Sequence, residues 1–215
     1  MTVAVLVPTL GRPHRIREMM ADLYATVTED EVRLYFIAET HDLATLEEII
    51  ESGAFGFTND RSPSYAGAIN TGLLETTEPF IFTGADDLHF HEGWLPPLLE
   101  RAQEFGLVGT NDLYNREVLD ERHATHFLVT REYALTGCVD APGVLLHEGY
   151  THNYVDTEAV GTAISRGQFA PCMESVVEHR HWLWGLSPMD ATYEKGRDTE
   201  QIDRATFETR RALWM

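Results

Sequence analysis

Residues Phe80 to His89 read FIFTGADDLH. The run Phe80–Thr83 combines bulky and β-favouring residues, which predicts a buried strand. Gly84 and Ala85 break it, and Asp86 and Asp87 then stand side by side at its C-terminal edge. Adjacent like charges cost free energy unless something positive sits between or beside them. A divalent cation with oxygen ligands meets that need: magnesium or manganese typically takes one or two carboxylates and fills its other positions with substrate phosphates and water. Either aspartate could instead cap the following turn.

The segments on both sides show what kind of strand this is. Val3–Val7 is a short apolar run, broken by Pro8, Thr9, Leu10 and Gly11. Ile16, Met19, Met20, Leu23 and Val27 then recur at helical spacing, with Pro13 suited to a first turn. Val32–Ala38 predicts a second strand, Leu43–Ile50 a helix, Ala54–Thr58 a weaker strand, and Tyr65–Leu74 a helix with Ala66, Ile69 and Leu73 on one stripe. Strands alternating with helices imply an α/β fold with a mostly parallel sheet covered on both faces. Ligands in such sheets bind beyond the carboxyl ends of the strands. The polar segments Thr9–Arg12, Glu39–Asp42 and Asp86–Asp87 all fall there.

The second half is less regular. A helix is expected over Gly93–Phe105, with Pro96 and Pro97 in its first turn, and strands over Leu107–Gly109 and Phe127–Thr130. Asp156–Arg166 reads as a helix ended at Gly167, with Val160 and Ile164 as core contacts. Val176–His179 reads as a last strand, and 199–215 as a helical tail anchored by Ile202, Phe207 and Leu213. No repeat or linker interrupts residues 1–215, so one domain is the simplest organisation.

Composition excludes several classes. With 35 acidic against 16 basic residues the formal net charge is −19, which opposes binding to duplex nucleic acid. Cys138 and Cys172 lie far apart, in no metal-ligand spacing, as expected of buried thiols in a reducing compartment. The opening MTVAVLVPTLGR lacks the basic start and length of a signal peptide, and no segment approaches the roughly 20 apolar residues of a membrane span. A soluble, cytoplasmic protein is expected.

Five stretches occur in a suggestive order: VLVPTLGRP from Val5, YAGAINTGL from Tyr65, GADD from Gly84, VDTE from Val155 and VVEH from Val176. In these the chain resembles the nucleotide-diphospho-sugar transferases of GT-A fold, specifically the inverting glycosyltransferases of family 2. The resemblance covers roughly residues 1–182 and implies a nucleotide-sugar donor, a UDP-sugar by preference, with Mn²⁺ or Mg²⁺. It implies donor contacts at Pro8, Thr9, Arg12, Glu39, Asn70 and Asp86, metal ligation by Asp86 and His179, with His181 as a second candidate, and Asp156 as general base. Three positions depart from the pattern: Gly84 replaces the first Asp of D-x-D, Glu39 stands where Asp is usual, and Val155 replaces the Glu of E-D.

Residue chemistry supports several of these roles. Arg12 suits a phosphate as a fork-shaped cation; His179 and His181 alternate and so share a strand face. Asp156 would take the acceptor hydroxyl's proton, with Glu158 as runner-up. The plain alternatives are an acidic helix N-terminus for VDTE and a helix-face amide packing on a loop for Asn70. The aromatic and amide groups of Tyr150–Tyr154 suit either a sugar or the core. The expected acceptor is soluble, a protein side chain or a saccharide. Rival functions are an inactive sugar-nucleotide-binding module or a nucleotidyltransferase, although no Gly-rich phosphate loop with a nearby Lys follows the first strand.

Overall fold

The computed structural model describes residues 2–215. The elements in chain order are β1 (Val3–Thr9), α1 (Arg15–Tyr24), β2 (Val32–Glu39), α2 (Leu43–Ser52), β3 (Phe55–Asn59), α3 (Tyr65–Glu75), β4 (Phe80–Thr83), β5 (Leu88–Phe90), α4 (Leu95–Arg101), β6 (Leu107–Asn111), α5 (Arg116–Leu119), β7 (Phe127–Thr130), α6 (Arg131–Thr136), α7 (Val155–Ser165), β8 (Phe169–His179), α8 (Ala191–Asp198) and α9 (Glu200–Arg210). The strands form one sheet in the order β3-β2-β1-β4-β7-β6-β8-β5. β1 pairs in parallel with β2 and β4, and β6 with β8, whereas β7 and β5 run against their neighbours. The sheet is thus mostly parallel, as expected.

Period-2 alternation along β1 divides the core. Val3, Val5 and Val7 pack with Ile16, Met19 and Leu23 of α1 and with Trp94 and Leu98 by α4. Ala4 and Leu6 face the other way, against Ile69 and Leu73 of α3 and Val155 and Val160 of α7. All five β1 residues are fully buried, which is why this strand reads as a continuous apolar run. β1 and β4 are consequently pinned side by side, with Thr9 and Asp86 emerging at the same edge.

Four expectations need correction. Ile164 is 51 % exposed, Ile202 63 % and Leu213 52 %, so none anchors its helix. The reason is that α9 turns Asp203 and Phe207 inward, while Trp214 is buried against Gly161, where a Cβ would come within 2.4 Å of the indole. Within the expected helical tail of 199–215 lies α9, and a separate helix, α8, which the sequence reading did not give, precedes it and meets it at Thr199. The last strand begins at Phe169, but its register against β6 shifts between Thr110 and Asn111, so only the final third reads as a strand. Finally, α4 spans only Leu95–Arg101 of the expected 93–105.

Candidate active site

Asp86 and Asp87 separate on leaving β4, and each takes its own cation. Thr9, at the end of β1, donates its hydroxyl to Asp86 Oδ2 at 2.9 Å. Gly11, at φ 65°, turns the chain so that Arg12 comes back over the strand ends. Arg12 is 4 % exposed and donates from Nη1 to Asp86 Oδ1 at 2.6 Å. Its Nε and Nη2 reach Asp190, the N-cap of α8, at 2.8 and 2.9 Å, and its guanidinium lies 4.0 Å from the Tyr193 ring centroid. Burial works against the charge on Arg12, but Asp190 and Asp86 more than offset it and raise its pKa. Burial also pushes the Asp86 carboxyl up, against the pull of Arg12.

Asp87 points to the histidines. Tyr193 donates its hydroxyl to Asp87 Oδ2 at 2.8 Å, and His179 Nε2 lies 3.3 Å from the same oxygen. Burial opposes ionisation of Asp87, yet His179 outweighs it and holds the carboxyl far below its ordinary range. In return Asp87 raises His179 against the effect of burial. Burial and then His179 lower His181 to about 4. Donor atoms of Asp87, His179 and His181 lie within 4.8 Å of one another. Behind them His126 bonds the Thr83 carbonyl through Nδ1 at 2.9 Å, while its buried Nε2 has no hydrogen-bond partner among the described residues. A carboxylate with two imidazoles is a fitting donor set for Mn²⁺ or a related divalent ion.

A second carboxylate stands at the start of α7. Tyr154 caps that helix in a left-handed conformation, φ 64°, which a bulky residue adopts only when its surroundings impose it. Here the Tyr154 hydroxyl bonds Glu200 at 2.7 Å and its ring stacks on Phe207, both from α9. Asp156 thereby falls in the first helical turn, where the dipole favours negative charge. Its Oδ2 lies 3.1 Å from His123 Nε2, and its Oδ1 accepts from the Thr157 amide at 2.8 Å. Burial would raise its pKa, but His123 outweighs this and keeps the carboxylate ionised; the same contact raises His123. Burial lowers the pKa of His152, on the loop before α7, against the pull of Asp156, Asp203 and Asp87.

The sequence pattern of the family described as glycosyl transferase family 2 matches residues 4–178. The chain belongs to glycosyl transferase family 2. No curated protein sequence matches it. Among solved structures it is similar to glucosyl-3-phosphoglycerate synthase from Mycobacterium tuberculosis in complex with Mn²⁺, UDP and phosphoglyceric acid (TM-score 0.66, 18 % identity, covering 96 % of this chain and 78 % of that one). It is also similar to a mannosyltransferase from Pyrobaculum calidifontis in complex with GDP-Man and Mn²⁺ (TM-score 0.60, 15 % identity, 84 % of this chain and 59 % of that one). A third is S. aureus TarS (TM-score 0.60, 12 % identity, 82 % of this chain and 36 % of that one). The chain therefore spans under two thirds of the mannosyltransferase's length, and these likenesses show the GT-A fold.

The residues expected of a family 2 glycosyltransferase are not all brought together. Thr9, Arg12, Asp86, His179, His181 and Asp156 converge at the strand ends, and Pro8 contributes only its place in β1. Glu39 closes β2 and accepts from the Asn59 side chain at 2.8 Å. Asn70 is fully buried and clasps a loop: its amide donates to the Leu146 carbonyl and Glu148, and its oxygen accepts from the Leu146 amide. Glu158 is likewise held inside, by Tyr150 and by two bonds from Arg210. Gly84, in place of the first Asp, sits where a Cβ would be 2.9 Å from the Leu6 carbonyl oxygen, so β1 leaves no room for a side chain.

Sequence reasoning did not single out Asp190, Tyr193 or His123, and gave Asp87 no place among the expected site residues. Asp190 and Tyr193 lie beyond the family match, and their position over Arg12 depends on contacts across long chain distances, 178 residues for Arg12–Asp190. His123 offered no local signal. Asp87 was visible as the second carboxylate of the pair, and only the divergence of the two side chains distinguishes their partners.

Proposed function

We propose that this glycosyltransferase moves a sugar from a nucleotide-sugar donor to an acceptor hydroxyl by a single displacement with inversion, assisted by a divalent metal. The observation that carries the reading is the presence of two carboxylate–histidine centres: Asp87 with His179 and His181, and Asp156 with His123. The geometry favours Asp87 over Asp86 as the metal-side carboxylate, because Asp86 is engaged by Arg12 and Thr9. A cation held by Asp87, His179 and His181 would neutralise charge growing on the departing diphosphate. Arg12, once released by Asp190, offers a forked guanidinium to the same diphosphate. Asp156 accepts the acceptor hydroxyl's proton as the oxygen attacks the anomeric carbon, and His123 holds the carboxylate in place.

The donor carries a nucleoside diphosphate, UDP by preference, and the metal is Mn²⁺ or Mg²⁺. The acceptor is a soluble protein side chain or a saccharide. A panel of sugar nucleotides with Mn²⁺, followed by NMR of the product's anomeric centre, tests this reading. Turnover with an inverted anomeric configuration supports it. Retention of configuration, or turnover of nucleoside triphosphates alone, overturns it. Donor binding without transfer to any acceptor would indicate the binding-module alternative.

A further inference from the structure

The β5–β8 ladder has a second face that the site above does not use. The two strands are antiparallel, with His89 directly opposite Glu178 and Leu88 opposite His179. Alternation sends Leu88, Phe90 and Val177 into the core, where they are buried. His89, His91 and Glu178 therefore share the opposite face, and donor atoms of the three lie within 4.8 Å of one another. Glu178 and His179 are neighbours in sequence, so this cluster lies back to back with the Asp87–His179–His181 cluster rather than forming part of it.

The cluster is also prepared for a ligand. Asp22 of α1 holds His89 Nδ1 at 2.5 Å through one carboxylate oxygen and accepts the Phe90 amide at 2.9 Å through the other. A carboxylate that takes the Nδ1 proton fixes ring and tautomer and leaves Nε2 as a lone-pair donor, the outer arrangement that supports metal-binding histidines. His91 Nε2 is closed off from solvent, yet it has no hydrogen-bond partner among the described residues. The two imidazole centroids are 4.9 Å apart. Glu178 is steadied by the Tyr114 hydroxyl on Oε1 at 2.8 Å and by Arg180 Nε on Oε2 at 2.9 Å, and each oxygen keeps a second lone pair. Arg180 is 44 % exposed and free to swing outward as a cation enters.

We propose that His89, His91 and Glu178 form a second metal site that takes a borderline transition ion such as Zn²⁺ or Co²⁺, with water completing the coordination. Two imidazoles and one carboxylate are a donor set for such ions. Asp22 acts as a positioning residue. An ion bound here would cross-link β5 to β8 directly behind the residues that face the donor space.

The test is to strip the full chain with a chelator, titrate it with Co²⁺ while following visible absorption, and measure bound metal by elemental analysis. Wild-type protein is expected to bind Co²⁺ at two places. His91→Ala should lose one while keeping the other, and His179→Ala should show the reverse. Asp22→Asn should weaken the His91-dependent ion by about 10–100-fold, as removal of an outer-shell partner does. Glu178→Gln provides an independent variant if His91→Ala fails to fold. The proposal is overturned if His91→Ala and Glu178→Gln bind as much Co²⁺ as wild type, or if His179→Ala removes all bound metal.

Discussion

The carboxylates proposed for the donor side, Asp86 and Asp87, and for the acceptor side, Asp156, are built differently. Asp86 and Asp87 are 6 % and 4 % exposed, and both are neutralised from within: Asp86 by Arg12, Asp87 by His179 and Tyr193. Asp156 is more open, at 26 % side-chain exposure, and has only His123 as a charged partner. On the proposed reading, the donor side is closed by the chain's own C-terminal segment and exchanges partners to admit a diphosphate, whereas Asp156 on the acceptor side needs no such exchange. Binding and reaction should consequently respond to different substitutions.

The largest expected effect is at Asp156. Asp156→Asn should reduce the transfer rate by about 10²–10⁴ while leaving donor affinity unchanged, which single-turnover kinetics combined with calorimetry would show. If donor binding fell in parallel, the two sides would not be separable. Next comes Asp87→Ala, which should weaken Mn²⁺-dependent donor binding by at least about 10-fold. Asp86→Ala should act instead through Arg12, so its loss of donor binding should persist with and without metal; isothermal titration in the presence and absence of Mn²⁺ distinguishes the two.

A smaller effect, opposite in sign, is expected from Asp190. Its side chain is 37 % exposed, so its hold on Arg12 is that of a screened pair, about 0.2–1 kcal/mol. Asp190→Ala should release Arg12 and tighten donor binding about 1.4- to 5-fold in a titration. Weaker binding would mean that α8 contributes to the donor site instead of covering it.

The smallest effect concerns pH. His123 is raised above its ordinary 6.5 by Asp156, so protonated His123 stabilises the fold fully below that value. The contribution is lost as pH rises through the higher folded value. Over the same interval Asp156 loses its cationic neighbour and becomes more basic, so transfer should speed up. In His123→Gln both changes should vanish from the pH profiles of thermal unfolding and of kcat.

The same contrast explains what the sequence made legible. β1, α1, β2, α3 and β4 are packed by apolar residues at period 2 or 3.6, and those periods are local properties of the chain. The strand-end positions of Thr9, Arg12 and Asp86 follow from them. In the C-terminal tail, packing depends more on polar contacts over long separations. Ile202 and Leu213 satisfied a helical pattern yet face solvent, because α9 is held by Asp203 and Arg210, whose partners lie between Asp140 and Glu158. Charged residues at such positions read as surface in the sequence. Asp87 is the intermediate case: its existence was plain, and its partner depended on how two consecutive side chains diverge.

Asp203 has one more consequence. Fully buried on α9, it accepts the successive amides of Thr151, His152 and Asn153 at 2.7, 2.9 and 2.8 Å. These amides belong to the loop that leads through Tyr154 into Asp156. The loop and the helix therefore open as one cooperative unit: those three protons can exchange with solvent only when α9 lets go. Their exchange rates would report the integrity of the last helix, and any event that frays it would reach Asp156 through the backbone before touching the sheet.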